Sequence, residues 1–531
     1  MNLKLMLDEA AGKYGQKTAI VSGQRRLSFS NLAEASDKVA NGLIKMGVNK
    51  GDRVAMLLPN SPEFVAIFFG IVKTGAIAVP LDSKYKIDEL TSLFNDSLPK
   101  VLVIESQVIE PLIPDLSRFK SIKHIIDLCP GYEGKFTTYQ EIMSTSSAQP
   151  VKAAPEPDDT ALIAYTSGQS FHPTGVMLSH YSLAREALVS ADAFEQTDKD
   201  TLMLFALPMH HMLGLVSVLL TSITKGSTVV MLTGLSMPTL TETIEKEKST
   251  ILIGVPFLFA LLIRMAEKEG VKNNLSSLRV CCSAGAPLSI EIVQQFKQHF
   301  GLEIADCWGL TEAVCLVTTS PIKGRRKRGS IGKALPEWEV KVIDDNGREL
   351  PPNHNGEAIV RGPLMKGYYN NPQATSRVLK NGWLHTGDIC QLDEDGNLFI
   401  TGRKKDTIII KGQNIYPADI EYVLSRHPKV AEAAVMGIPD ELRGELVGAF
   451  INLKKGQTAT EQEIKQFCLE RITNYKVPKQ IVFLDSLPKT ASGKIDREKI
   501  REQLSIPPLF PKLEITRKKS NRCHYIIITD T

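Results

Sequence analysis

Tyr165-Thr166-Ser167-Gly168-Gln169-Ser170-Phe171-His172-Pro173-Thr174-Gly175 reads as a loop leaving the apolar run at 161–164. Its hydroxyls on Thr166, Ser167 and Ser170, and the backbone N–H groups of Gly168 and Gly175, suit phosphate oxygens. No Gly-Lys-Ser/Thr ends it, so it is not a Walker A loop, and a plain turn would look the same. Trp308-Gly309-Leu310-Thr311-Glu312 follows the strand-like 302–305. It offers a ring that can stack on a purine and a carboxylate that can hold Mg²⁺ through oxygen; a core Trp beside a solvated Glu is the bland alternative. Asp388 closes Gly382-Trp383-Leu384-His385-Thr386-Gly387. There it can accept hydrogen bonds from two ribose hydroxyls, or simply serve a turn. Lys494 sits on the Ser492-Gly493 loop. It can deliver positive charge to a reacting carboxylate and phosphate, or face water.

These groups need a scaffold, and the pattern around them supplies one. Val54-Ala55-Met56-Leu57-Leu58 is closed by Pro59, and Ala76-Ile77-Ala78-Val79 by Pro80. A helical stretch at 61–73 lies between these runs, and 101–104 is a third run of the same kind. Apolar strands alternating with helices predict a largely parallel sheet covered on both faces. Residues 144–159 read as a surface loop, and a second α/β stretch spans about 200–300. Beyond the basic run at 323–328, read as a solvated loop rather than a phosphate contact, the texture changes. Glu339-Val340-Lys341-Val342-Ile343, the turn at 344–347 and Glu357-Ala358-Ile359-Val360 predict antiparallel sheet.

The fold class that this pattern predicts is α/β, with mixed α+β texture over roughly one hundred residues beyond 402, enough for a small separate domain. Residues 504–531 read as a poorly ordered tail.

Composition excludes several classes. Hydrophobic residues make up 43% and charged residues 23% of 531, which rules out collagen-like, coiled-coil and wholly disordered chains. The net charge is +4, from 63 basic and 59 acidic residues, too small an excess for phosphate-driven nucleic-acid binding. The eight cysteines include no C-x-x-C pair, and Cys281-Cys282 lie in an apolar run. Buried free thiols and a cytoplasmic location are expected. Asp8 and Glu9 interrupt any signal-like start, and Lys73 breaks the most apolar stretch, so no transmembrane segment is expected and no membrane engagement beyond weak peripheral contact.

In order and context these segments resemble the adenylate-forming (AMP-binding) superfamily of acyl-CoA synthetases, coumarate-CoA ligases, luciferases and peptide-synthetase adenylation domains. The resemblance spans roughly residues 10–503. It includes Gly75-Ala76-Ile77-Ala78-Val79-Pro80-Leu81, Gly175-Val176-Met177-Leu178-Ser179-His180, Ser283-Ala284-Gly285-Ala286-Pro287-Leu288, Gly412-Gln413-Asn414-Ile415-Tyr416-Pro417 and Tyr475-Lys476-Val477-Pro478.

It implies a large N-terminal domain of helix-flanked β-sheets with a small barrel-like subdomain at 1–402, a hinge at 403–405, and a small, mobile α+β C-terminal domain at 406–503. It implies too an acid–thiol ligase using ATP, Mg²⁺ and coenzyme A, in which a carboxylate is first adenylated and then passed to a thiol. By this resemblance Gly285, Ala286 and Pro287 form the adenine pocket, with Trp308 covering the base and Asp306 near its edge. Thr311 meets the α-phosphate, Glu312 holds Mg²⁺, and Asp388 and Arg403 hold the ribose. Lys494 serves adenylation, Lys405 is the pivot, and the loop around Gly412 enters for thioester formation.

The phosphate loop departs from the family's Thr-Ser-Gly-Thr-Thr-Gly-x-Pro-Lys-Gly. Gln169 and Ser170 replace two Thr, Phe171 replaces Gly, and Thr174 replaces Lys. A side chain where Gly is needed costs on the order of 1–2 kcal/mol, and a lost charged contact roughly 1.5–3 kcal/mol. The expectation is an enzyme with a weakened loop; a non-catalytic nucleotide- or acyl-binding homologue is the alternative. His211, in Pro208-Met209-His210-His211-Met212-Leu213-Gly214, stands where amino-acid-activating relatives carry Asp, which argues against an amino-acid substrate. It either lines the carboxylate entrance or packs structurally. Walls near 255–257, 284–286 and 314–316 are apolar, so a medium- to long-chain fatty acid is expected first and an aryl acid second.

Overall fold

The computed structural model describes the chain except residues 106–117, 130–135, 153–154, 166–173, 233–235, 270–274, 325, 404–406, 441, 490–494, 507–513, 521–522 and 530–531. Two large sheets organise the N-terminal part, one of eight strands and one of nine. In the first, Arg53–Leu57 pairs in parallel with Ile77–Pro80 and Val101–Ile104, in line with the apolar runs closed by proline. Thr160–Tyr165 and Gly175–Ser179, which flank the Ser/Thr/Gly loop, extend this sheet as an antiparallel pair. In the second, Thr201–Leu204, Ile251–Gly254, Val280–Ser283 and Ile304–Trp308 run parallel. Both sheets contribute to one large core.

Helix Pro62–Lys73 is buried nearly all round, and the Ser61 hydroxyl caps it by accepting from the Phe64 N–H. Lys73, the residue that interrupts this apolar stretch in sequence, is itself fully buried. Its ammonium lies 2.9 Å from Asp8 and 2.8 Å from Asp37. A buried lysine survives only when paired in this way. No helix among the described residues is long and apolar enough to cross a membrane.

Five antiparallel strands follow and form the small barrel-like subdomain. Glu339–Ile343 and Gly356–Arg361 pair as the sequence pattern predicts. The basic run at 323–328 is engaged in ion pairs: Lys323 with Glu195, Arg326 with Glu303, and Lys327 with Asp393.

The C-terminal domain is a second five-stranded sheet, Ile408–Ile410 through Gln480–Phe483, packed on helices Pro417–Ser425 and Glu461–Leu469 around its own core. Residues 504–531, read from sequence as a poorly ordered tail, contain an antiparallel ladder of Glu514–Ser520 with Cys523–Thr529. The β-branched run at 526–528 favours such pairing. Cys281 and Cys282 are buried free thiols, as expected. The proposed pivot Lys405 lies outside the described residues.

Candidate active site

The parallel strands of the nine-stranded sheet end on a cavity of about 260 Å³. Open parallel sheets bind ligands beyond the carboxyl ends of their strands. Val255 follows Ile251–Gly254, Ala284 to Pro287 follow Val280–Ser283, and Thr311 and Glu312 follow Ile304–Trp308; all of them line the cavity. Asp306, Trp308, His211, Asp388 and Gly412 line it too. Ten residues singled out from sequence thus converge from five separate stretches of chain. Thr174 is half-buried and does not line it. Thr166, Ser167, Gly168, Ser170 and Lys494 lie outside the described residues, as does the Arg403 side chain. The Arg403 backbone pairs directly with Asp388 across the strands.

Trp308 and Asp388 form one unit. The indole Nε1 donates to Asp388 Oδ2 at 3.1 Å, and the Asp388 N–H donates to Thr386 Oγ1 at 3.1 Å. The ring is only 6% exposed, so it forms a fixed wall of the cavity. Asp306 lies on the same strand as Trp308, and burial pushes its carboxyl pKa well above the usual range.

Glu312 sits on the short 3₁₀ turn Thr311–Ala313. Its Oε1 accepts from the Tyr368 hydroxyl at 2.8 Å, and its backbone oxygen accepts from Met365 N at 2.9 Å. Burial, followed by the negative charge of Glu312, raises the Tyr368 pKa and keeps that donor protonated. Among the described residues no three acidic, His or Cys side chains cluster as a metal cage. A single oriented carboxylate fits Mg²⁺, which is usually held by one or two carboxylates together with substrate phosphates.

His211 packs against His210, ring centroids 4.4 Å apart. Burial pushes both pKa values down to about 3, so both rings are neutral at neutral pH. Each Nε2 is buried without a hydrogen-bond partner among the described residues. His210 Nε2 lies 3.9 Å from Asp82 Oδ2, too far for a hydrogen bond. A neutral imidazole at His211 offers a polar but uncharged atom beside Met212, Leu213 and Gly214.

The wall at Cys315 and Leu316 is held from behind. Glu186, fully buried, accepts from Leu316 N at 3.0 Å, Ser190 Oγ at 2.8 Å and Trp338 Nε1 at 3.0 Å. Leu316 and Cys315 line the cavity, so Glu186 fixes the backbone that shapes it. Burial outweighs these three donors and pushes its pKa up to about 8.

Of the C-terminal-domain residues that line the cavity, sequence reasoning singled out only Gly412. The structure adds Thr407, Lys411, Gln413, Asn414 and Tyr416. The motif around them was visible, but not which of its side chains would face the cavity. Lys411 Nζ stands 4.3 Å from the Phe257 ring centroid, and partial burial lowers its pKa. Gly412 has φ +79°, and a Cβ there would lie 2.3 Å from Val255 Cγ1. The domains meet more closely at this point than any side chain permits.

The family model described as AMP-binding enzyme matches residues 7–369, and the AMP-binding enzyme C-terminal domain matches 419–494. A long-chain-fatty-acid–CoA ligase of Bacillus subtilis is 33% identical over 530 residues, covering 94% of each chain. The solved o-succinylbenzoate CoA synthetase of Bacillus subtilis, bound with a product analogue, superimposes with TM-score 0.82 at 30% identity, over 94% of this chain and 98% of that one. ATP-bound MatB of Rhodopseudomonas palustris superimposes with TM-score 0.70 at 28% identity, over 95% of this chain and 99% of that one.

Proposed function

The chain belongs to the AMP-binding enzyme family, among its AMP-forming acid–CoA ligases, and from that membership we propose that it adenylates a medium- to long-chain fatty acid with ATP and transfers the acyl group to coenzyme A. One observation carries the two-step reading. The cavity lies between two domains, with the nucleotide-side residues Gly285, Asp306, Trp308 and Asp388 on one wall and the Gly412 loop on the other.

In the first step a carboxylate oxygen bonds to the α-phosphorus of ATP, and the bond to pyrophosphate breaks. Trp308 and Asp388 hold the nucleoside, Thr311 meets the α-phosphate, and Lys494 balances the negative charge that gathers there. Mg²⁺, held by Glu312, would neutralise phosphate charge. Neutral His211 lines the carboxylate entrance without pairing to an ion. In the second step the sulfur of coenzyme A bonds to the acyl carbon and AMP leaves. Gly412 allows the C-terminal domain to approach closely enough for this step.

Apolar walls at Val255, Ala284 and Leu316 support an alkyl chain. An aryl acid is the second reading, favoured by the likeness to an o-succinylbenzoate synthetase. The test is to incubate the protein with ATP, Mg²⁺, coenzyme A and a panel of alkyl and aryl acids, measuring AMP and acyl-CoA by mass spectrometry. Fatty acyl-CoA as the dominant product supports the first reading, and aryl-CoA the second. Neither product from any acid would leave the non-catalytic homologue.

A further inference from the structure

A buried ion pair joins the two domains away from the cavity. Glu89 lies in the first turn of helix Ile87–Ser97, and Lys476 ends the turn Asn474–Lys476, 387 residues later. Lys476 Nζ is 2.7 Å from Glu89 Oε1, and both side chains are 0% exposed. Glu89 Oε2 accepts from Thr473 Oγ1 at 2.8 Å and from Lys86 N at 3.0 Å. The Lys476 ammonium also lies 5.1 Å from the Tyr85 ring centroid. Neither Glu89 nor Lys476 lines the cavity.

A buried pair of this kind adds little net stability, because desolvation offsets the attraction. Its discrimination is large. A docking that keeps either charge buried without the other is strongly disfavoured. Each partner sits on a different domain, so this orientation satisfies both, and rotating the C-terminal domain must return both to water. The same orientation brings Gly412 against Val255.

We propose that Glu89 and Lys476 are positioning residues: they hold the C-terminal domain in the orientation that seats the Gly412 loop in the cavity, and so set the rate of thioester formation without touching substrate. This rests on the two-step reading given above. Thr473 extends the contact and helps orient the Glu89 carboxylate.

The test combines an orientation readout with half-reaction kinetics. Spin labels are placed on exposed Tyr181 of the N-terminal domain and exposed Leu469 of the C-terminal domain, and the distance distribution is measured in the parent, Glu89→Ala, Lys476→Met and the charge exchange Glu89→Lys with Lys476→Glu. Each single variant should depopulate the parent's main distance, and the exchange should restore a substantial part of it. Thioester formation from a synthetic acyl-adenylate at saturating coenzyme A should slow about tenfold or more in the single variants. Pyrophosphate exchange should stay within about twofold of the parent. If Glu89→Ala does not fold, Lys476→Met decides alone, since it leaves the N-terminal domain intact. Identical distance distributions in parent and single variants overturn the proposal, as does equal loss of both half-reactions. Should the parent adenylate no acid at all, the two-step reading fails, while the distance measurement still decides the pair.

Discussion

A Cβ on Gly412 would stand 2.3 Å from Val255 Cγ1, so the C-terminal domain reaches the cavity only because residue 412 has no side chain. The backbone there is left-handed, at φ +79°, which adds a conformational cost on the order of 1–2 kcal/mol for any other residue. Gly412→Leu is therefore expected to slow thioester formation by about tenfold or more, while pyrophosphate exchange stays close to that of the parent. Separate assays of the two half-reactions check this, and unchanged thioester formation would contradict it.

Trp308→Phe keeps a ring on the cavity wall and deletes the N–H that Asp388 Oδ2 accepts at 3.1 Å. A hydrogen bond to a charged group is worth roughly 1.5–3 kcal/mol. The KM for ATP should rise about tenfold with little change in kcat. Steady-state rates against ATP concentration give the answer, and a fall in kcat alone would place Trp308 outside nucleotide binding.

The phosphate loop is expected to limit the parent enzyme. Phe171→Gly should restore backbone freedom, and Thr174→Lys should restore a positive charge near the outer phosphates. The sites are close and share one ligand, so their effects should couple rather than add. The gain should appear as tighter MgATP binding or faster adenylate formation, with carboxylate selectivity unchanged. A double variant slower than the parent would mean that Phe171 and Thr174 belong to a working loop of different design.

Much of the scaffold was legible because local pattern and final environment agree. Apolar runs closed by Pro59 and Pro80 became buried parallel strands, and the helical stretch read at 61–73 became the helix Pro62–Lys73. The segment from Trp308 to Glu312 was legible because it follows a strand-like run, whereas Gly285 to Pro287 were picked out only through the family resemblance. What stayed hidden depends on partners distant in sequence. Lys73 looked like an interruption and proved a buried ion-pair centre, because Asp8 and Asp37 come from other helices. Lys476 sat inside a recognised motif, but nothing local points to Glu89. The support of Leu316 by Glu186, 130 residues earlier, was equally invisible.

Glu186 makes a prediction in pH. Its folded pKa, about 8, lies above the ordinary value of 4.5. The folded state therefore keeps a proton that the unfolded chain gives up. Its stabilising contribution is complete below about pH 4.5 and is lost as pH rises through about 8. Across that window stability should fall by up to about 1.4 kcal/mol per pH unit from this group. Glu186→Gln removes the titration, so its melting temperature should vary less with pH between 5 and 8, whatever its absolute level. Parallel curves for parent and variant would show that the carboxyl is ionised throughout.

The central claim is that one cavity performs two half-reactions in two domain orientations, with Lys494 serving only the first. Lys494→Ala tests it most directly, by comparing acyl-adenylate formation from acid and ATP with thioester formation from synthetic acyl-adenylate and coenzyme A. Adenylation should fall by several orders of magnitude while the thioester step proceeds near the parent rate. Equal loss of both steps would contradict the account.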